Sequence, residues 1–137
     1  TKLVTGSGIP TAALVYKLVA REDANGNLES VAKQSAEKST RGGLKWAGRA
    51  IEDHTATTEL LVTAPNREAA AEYLASRDAR PLQQDFVVGG AIDKSWIGPD
   101  ALQRAQQRHI EARNELPYQA WRLSEGEVAI PTEYVDL

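Results

Sequence analysis

An alternating run from Leu14 to Arg21 leads into Asp23-Ala24-Asn25-Gly26-Asn27, and the chain returns over Leu28 to Ser35. Asn-Gly favours a type I′ turn because both residues tolerate positive φ, and that turn's twist matches the twist of paired strands. The spacing therefore predicts a β-hairpin, so any fold for this chain must seat an antiparallel pair near its start. Just upstream, Gly6-Ser7-Gly8 followed by Pro10 reads as a tight bend feeding the first strand.

Further along, Leu44 to Ile51 and Thr57 to Thr63 read as a third and a fourth strand, the latter from its clustered β-branched residues. Together with the hairpin they predict a small antiparallel sheet. Asn66 precedes an alanine-rich run with Glu68 and Glu72, the pattern of an N-cap and a helix expected to end near Arg77. Asp85 to Ile92 reads as a strand that ends or bulges at Gly89-Gly90. Gly98-Pro99-Asp100 then opens the longest helix, in which Leu102, Ala105, His109, Ile110, Arg113 and Leu116 fall on one stripe, and Pro117 stops it. The chain finishes in an extended end at Ile130-Pro131-Thr132. With one phenylalanine in 137 residues, Trp46, Trp96 and Trp121 are expected to be the main bulky core residues.

A chain this long buries roughly two-thirds of its unfolded surface, which suffices for one core. Its net charge of −3 gives no basic footprint for offsetting phosphates along a nucleic acid. With no cysteine, a disulfide framework, a thiolate nucleophile and a sulfur-ligated metal are all excluded. No apolar run approaches the ~20 residues that cross a bilayer as a helix. Methionine is absent too, and the first residue already belongs to an apolar segment, so the chain is expected to be the tail of a larger protein.

Lys17, Lys33, Lys38 and Lys45 lie on or beside the first three expected strands, with Ser35, Ser39, Thr40 and Gly42-Gly43 among them. Ammonium groups, hydroxyls and glycine amides in one stretch suit a polyphosphate, because amides without a neighbouring Cβ reach phosphate oxygens closely. Lysines on exposed hairpins are also ordinary solvated edge residues that discourage aggregation. The two histidines, His54 and His109, have no third ligand at a metal spacing. His109, on its helix stripe with Arg113 one turn on, reads as a packed, hydrogen-bonded side chain. Glu125 and Glu127, with Glu115 or Glu133 brought near, could form a carboxylate pair, although a flexible acidic loop explains them more simply.

The stretches VTGS, PTA, VYKLVARED, VAKQS and IPTEYV together closely resemble the C-terminal third of nicotinate phosphoribosyltransferases, in the actinobacterial form with a long C-terminal extension. That resemblance implies an α+β chain: a small, mostly antiparallel, hairpin-based sheet with two or three helices, belonging to a type II phosphoribosyltransferase whose α/β barrel lies upstream. It implies a single C-terminal domain in which residues 1–13 end the barrel and its phosphate loop, 14–63 form the sheet, and 64–137 form a helix-containing extension. The family's Lys-x-Ser, Lys, Gly-x-Lys motif matches Lys33-Gln34-Ser35, Lys38 and Gly43-Leu44-Lys45, and Thr1 matches the threonine of its Gly-x-Gly-Thr phosphate loop. Thr1, Lys33, Ser35, Lys38 and Lys45 are thus the implied phosphate-binding residues, with the basic ones expected to reach across a dimer interface. No catalytic residue and no metal ligand is implied in this chain.

The family forms nicotinate mononucleotide from nicotinate and phosphoribosyl pyrophosphate, with ATP and Mg²⁺ used by the full enzyme. The resemblance therefore implies a cytoplasmic homodimer that binds neither nucleic acid nor membrane. It also implies a chain that is inactive and holds no cofactor tightly without the upstream barrel. The alternative is a non-enzymatic α+β module that binds a partner protein through its sheet edge.

Overall fold

The computed structural model describes residues 17–32 and 41–137. The chain divides between Leu44 and Lys45 into two compact units. In the first, β1 (Ala20–Glu22) pairs antiparallel with β2 (Leu28–Ser30), which bears out the hairpin. Arg21 stands opposite Glu29 and forms an ion pair with it at 2.9 Å. The outer parts of both runs and the Gly6-Ser7-Gly8 bend lie outside the described residues.

The turn departs from the expected type I′ geometry. Of its residues only Gly26 has positive φ, at 81°, while the Asp23 carboxylate accepts the amides of Asn25 and Asn27, both at 2.8 Å. An aspartate that bonds backbone amides downstream makes its own turn and overrides the Asn-Gly preference. Those bonds, from Asn27 foremost, hold the Asp23 carboxyl below its ordinary range.

In the second unit, β3 (Lys45–Glu52) and β4 (Thr55–Thr63) are the expected third and fourth strands. They form a hairpin with Glu52 opposite Thr55, leaving Asp53 and His54 as a two-residue turn. Both residues take positive φ, 47° and 62°, which a primed turn requires and which costs a residue with a Cβ about 1 kcal/mol. His54→Gly is accordingly expected to stabilise the protein by about 1 kcal/mol. A urea unfolding curve checks this, and an unchanged or earlier midpoint would contradict it.

The helix α1 (Arg67–Ser76) begins as expected, with Asn66 Oδ1 accepting the Ala69 amide at 2.9 Å. It buries Ala70 and Leu74 against Leu60, Val62, Ala64 and Ala79, with Trp46, Tyr73 and Val135 packed around them. Gly48 on β3 permits this closeness, since a Cβ there would stand 2.6 Å from Leu74 Cδ2. The core consists mainly of aliphatic and small side chains. Trp46 is the one expected core tryptophan that joins it; Trp96 packs on Phe86, and Trp121 is 49% exposed beneath the Arg113 guanidinium.

The sheet is completed by β5 (Ala79–Pro81), antiparallel to β3, and by β8 (Thr132–Asp136), parallel to β4, in the order β5-β3-β4-β8. The extended end is therefore an edge strand. Between β5 and β8, β6 (Val87–Val88) and β7 (Ala91–Ile92) pair with each other. The expected single strand is thus a hairpin, because Gly89 and Gly90 both adopt positive φ, 56° and 80°, and reverse the chain.

The helix α2 (Pro99–Asn114) starts at Gly98 and Pro99 as expected, but the predicted stripe does not face inward. Leu102 and Ile110 are 61% and 44% exposed, whereas Ala101 is buried and Arg108, Ala112 and Glu115 are half-buried. The inward face is small and polar because hydrogen bonds hold it to the sheet. Among the described residues no helix is long and apolar enough to cross a membrane.

Candidate functional site

Four of the five sequence-predicted phosphate-binding residues, Thr1, Lys33, Ser35 and Lys38, lie outside the described residues. Lys45 is the half-buried first residue of β3, opposite Thr63, and its carbonyl accepts Gln83 Nε2 at 3.0 Å. Lys17 is exposed. Of the glycine pair expected to offer amides, Gly43 donates its N–H to the Val19 carbonyl at 2.7 Å. Gly42 lies against Val31, where a Cβ would stand 2.9 Å from the carbonyl oxygen. Close backbone packing thus accounts for Gly42, and a positive φ of 87° accounts for Gly43.

The most concentrated charge in the second unit sits where three strands and a helix end meet. Register places Arg49 of β3 directly opposite Arg80 of β5 on one side and Glu59 of β4 on the other. Two like charges side by side across a sheet repel. Glu115, at the C-cap of α2, resolves the clash by taking both arginines: Arg80 Nε donates to it at 2.8 Å, and Arg80 Nη2 and Arg49 Nη1 share its other oxygen. Arg49 Nη2 meets Glu59 at 2.8 Å.

Arg49 also donates Nη1 to the Ala112 carbonyl at 2.9 Å, satisfying one of the acceptors left open at a helix C-terminus. The Ala56 amide bonds the Glu115 carbonyl at 2.7 Å. The end of α2 is thereby fixed to the sheet on the face away from α1. Pairing with Arg80, and then with Arg49, holds the Glu115 carboxyl below its ordinary range despite the opposing effect of burial. Arg49 is 9% exposed, and its Nε has no partner among the described residues.

Beside this network lies an open cleft of about 420 Å³. Its helical wall is Ala105, Arg108, His109 and Ala112 of α2, at the i, i+3, i+4, i+7 spacing of one helix face. The opposite walls come from Arg80, Leu82 and Gln84 and from the Phe86–Trp96 pair, whose ring centres are 5.0 Å apart at 48°. Trp96 closes a short 3₁₀ turn (Lys94–Trp96) that Asp93 caps by accepting the Ser95 amide at 2.9 Å. Arg108 Nη2 donates to the Leu82 carbonyl at 2.8 Å, and Arg104 Nη2 to Ser95 O, so α2 is held to both walls.

Sequence reasoning missed this arrangement. The available signals were Arg49, a charge set inside the strand Trp46-Ala47-Gly48-Arg49-Ala50-Ile51, and the small-Arg-His-small spacing on α2. His109 is exposed on the cleft wall, not packed and hydrogen-bonded as expected. Of the carboxylates considered for a pair, Glu115 is bound by Arg80 and Arg49, and Glu133 by Arg77 through two bonds of 3.0 Å. Among the described residues no three His, Asp or Glu side chains gather as a metal ion needs.

No family model matches the chain, and no solved structure matches it. Two curated relatives do: the nicotinate phosphoribosyltransferase pncB1 from two strains of Mycobacterium tuberculosis, each 33% identical over 135 residues. The alignment takes in 98% of this chain and 27% of the relative, so the chain spans about a quarter of the length of the proteins it matches. The resemblance read from VTGS, VYKLVARED and IPTEYV is therefore borne out, and the chain matches the C-terminal part of a nicotinate phosphoribosyltransferase.

Proposed function

We propose that this chain is the C-terminal part of an enzyme that couples nicotinate to phosphoribosyl pyrophosphate in the cytoplasm. The products are nicotinate mononucleotide and pyrophosphate, and ATP hydrolysis is linked to turnover. The observation that carries the reading is 33% identity maintained over 98% of the chain. In such a transfer the ring nitrogen of nicotinate displaces pyrophosphate from the sugar. The protein's task is largely to position the partners and to stabilise the charge that builds on the departing group.

Within that reading Thr1, Lys33, Ser35, Lys38 and Lys45 contribute to phosphate binding. Threonine and serine hydroxyls donate hydrogen bonds, and lysine ammonium groups act as point charges that suit an anion of changing shape. Mg²⁺ belongs to the complete enzyme, where it screens the polyphosphates; no ligand for it is assigned to this chain. The upstream barrel and a second subunit complete the site.

The test is direct. Incubated with nicotinate, phosphoribosyl pyrophosphate, ATP and Mg²⁺, the 137-residue chain alone is expected to form no nicotinate mononucleotide, whereas the complete enzyme forms it. Product from the isolated chain would sink the divided-site reading. A complete enzyme that makes no product would sink the assignment itself.

A further inference from the structure

The cleft beside α2 carries a chemistry that the phosphoribosyltransferase reading does not use. No aspartate or glutamate lines it, in a chain whose net charge is −3, while Arg80, Arg108 and His109 do. Arg80 is already committed to Glu115. Arg108 is committed only in part: Nη2 serves the Leu82 carbonyl, which holds the guanidinium at the cleft wall, and Nε and Nη1 have no partner among the described residues. A guanidinium held in place by one bond, with donors to spare, can offer them to an anion's oxygens.

Across from it stands the Phe86–Trp96 wall. Phe86 is 55% exposed, so it presents aromatic surface to the opening. The tilted contact between the rings fixes them against each other, so the wall is ready for a planar ligand to stack on without further ordering. Ala105 and Ala112 keep the helical wall low on either side of Arg108 and His109. The volume, about 420 Å³, lies in the range of small-molecule sites. A base, a sugar and a phosphate fill such a space; a single ring leaves most of it empty.

We propose that this cleft binds a nucleoside monophosphate, its base stacked on Phe86 and Trp96 and its phosphate held by Arg108 with His109 beside it. The inference does not depend on the phosphoribosyltransferase reading. Binding here requires no turnover, so either can fail alone.

The experiment uses the 137-residue chain and follows the Trp96 indole and His109 ring resonances by NMR during titration with AMP, adenosine and benzoate. AMP is expected to shift both sets saturably, with adenosine and benzoate at least tenfold weaker, since adenosine lacks the phosphate and the single ring of benzoate leaves most of the cleft empty. Arg108→Gln should weaken AMP about tenfold and leave adenosine unchanged. Trp96→Leu should weaken both. His109→Ala removes a side chain with no structural hydrogen bond, so it tests the phosphate end in an intact fold, with an expected loss of a few-fold. Absence of saturable shifts with millimolar AMP on the wild-type chain would overturn the proposal. So would benzoate binding as tightly as AMP, or an Arg108→Gln loss that is equal for AMP and adenosine.

Discussion

Arg49→Ala is expected to lower the unfolding free energy by about 3 kcal/mol, the scale at which breaking a buried ion pair leaves its partners uncompensated. Arg49 is buried at the centre of the sheet and holds Glu59, Glu115 and the Ala112 carbonyl at once. Without it Arg80 alone faces Glu115, Glu59 loses its partner, and the end of α2 loses a cap. Urea unfolding measures the deficit, and a value within ~0.5 kcal/mol would place Arg49 with ordinary surface substitutions.

The pH dependence has a definite sign. Glu115's folded value lies below its ordinary 4.5, so its contribution is fully present above that pH and is lost as the pH falls through the depressed value. The part of the Arg49→Ala deficit that runs through Glu115 should therefore shrink in acid. A deficit independent of pH would show that Glu115 is not involved.

A tenfold or larger rise in the apparent requirement for phosphoribosyl pyrophosphate or ATP is expected when Lys33→Ala or Lys38→Ala is placed in the complete enzyme. A hydrogen bond to a charged group contributes about 1.5–3 kcal/mol, and each ~1.4 kcal/mol is a factor of ten in affinity. If both lysines hold phosphate, the effect should fall on the concentration dependence for these substrates and spare that for nicotinate. Unchanged kinetics in both variants would return the lysines to the class of solvated edge residues.

Local signals predicted local structure well. Asn66 caps α1, Gly98-Pro99 opens α2, and the β-branched run Thr57 to Thr63 lies in β4. Each depends on a few residues adjacent in the chain, so propensity and capping chemistry decide it. Where two local signals competed, the stronger bond won: the Asp23 carboxylate reshaped the Asn25-Gly26 turn. Gly89-Gly90 marked a break, but whether the chain bulged or reversed depended on Val87 finding Ile92 as a partner.

The α2 stripe shows where reading periodicity stops. Leu102 and Ile110 are apolar and correctly spaced, yet the helix turns Arg108, Ala112 and Glu115 toward the sheet. Arg49 and Arg80 are 31 residues apart in the chain, and only strand register makes them neighbours. Once they are neighbours a carboxylate must come between them, and Glu115 at the end of α2 supplies it.

By itself the sequence determined the α+β composition, the position of the first hairpin and of the helix starts, and the match to a nicotinate phosphoribosyltransferase's C-terminal part, because these reside in residue identity and short spacing. The tertiary structure decided which face of α2 is inward, how Arg49, Arg80, Glu59 and Glu115 neutralise one another, and that a cationic, aromatic-walled cleft exists. Each of these depends on contacts between residues distant in the chain, whose energies exist only after the strands have paired.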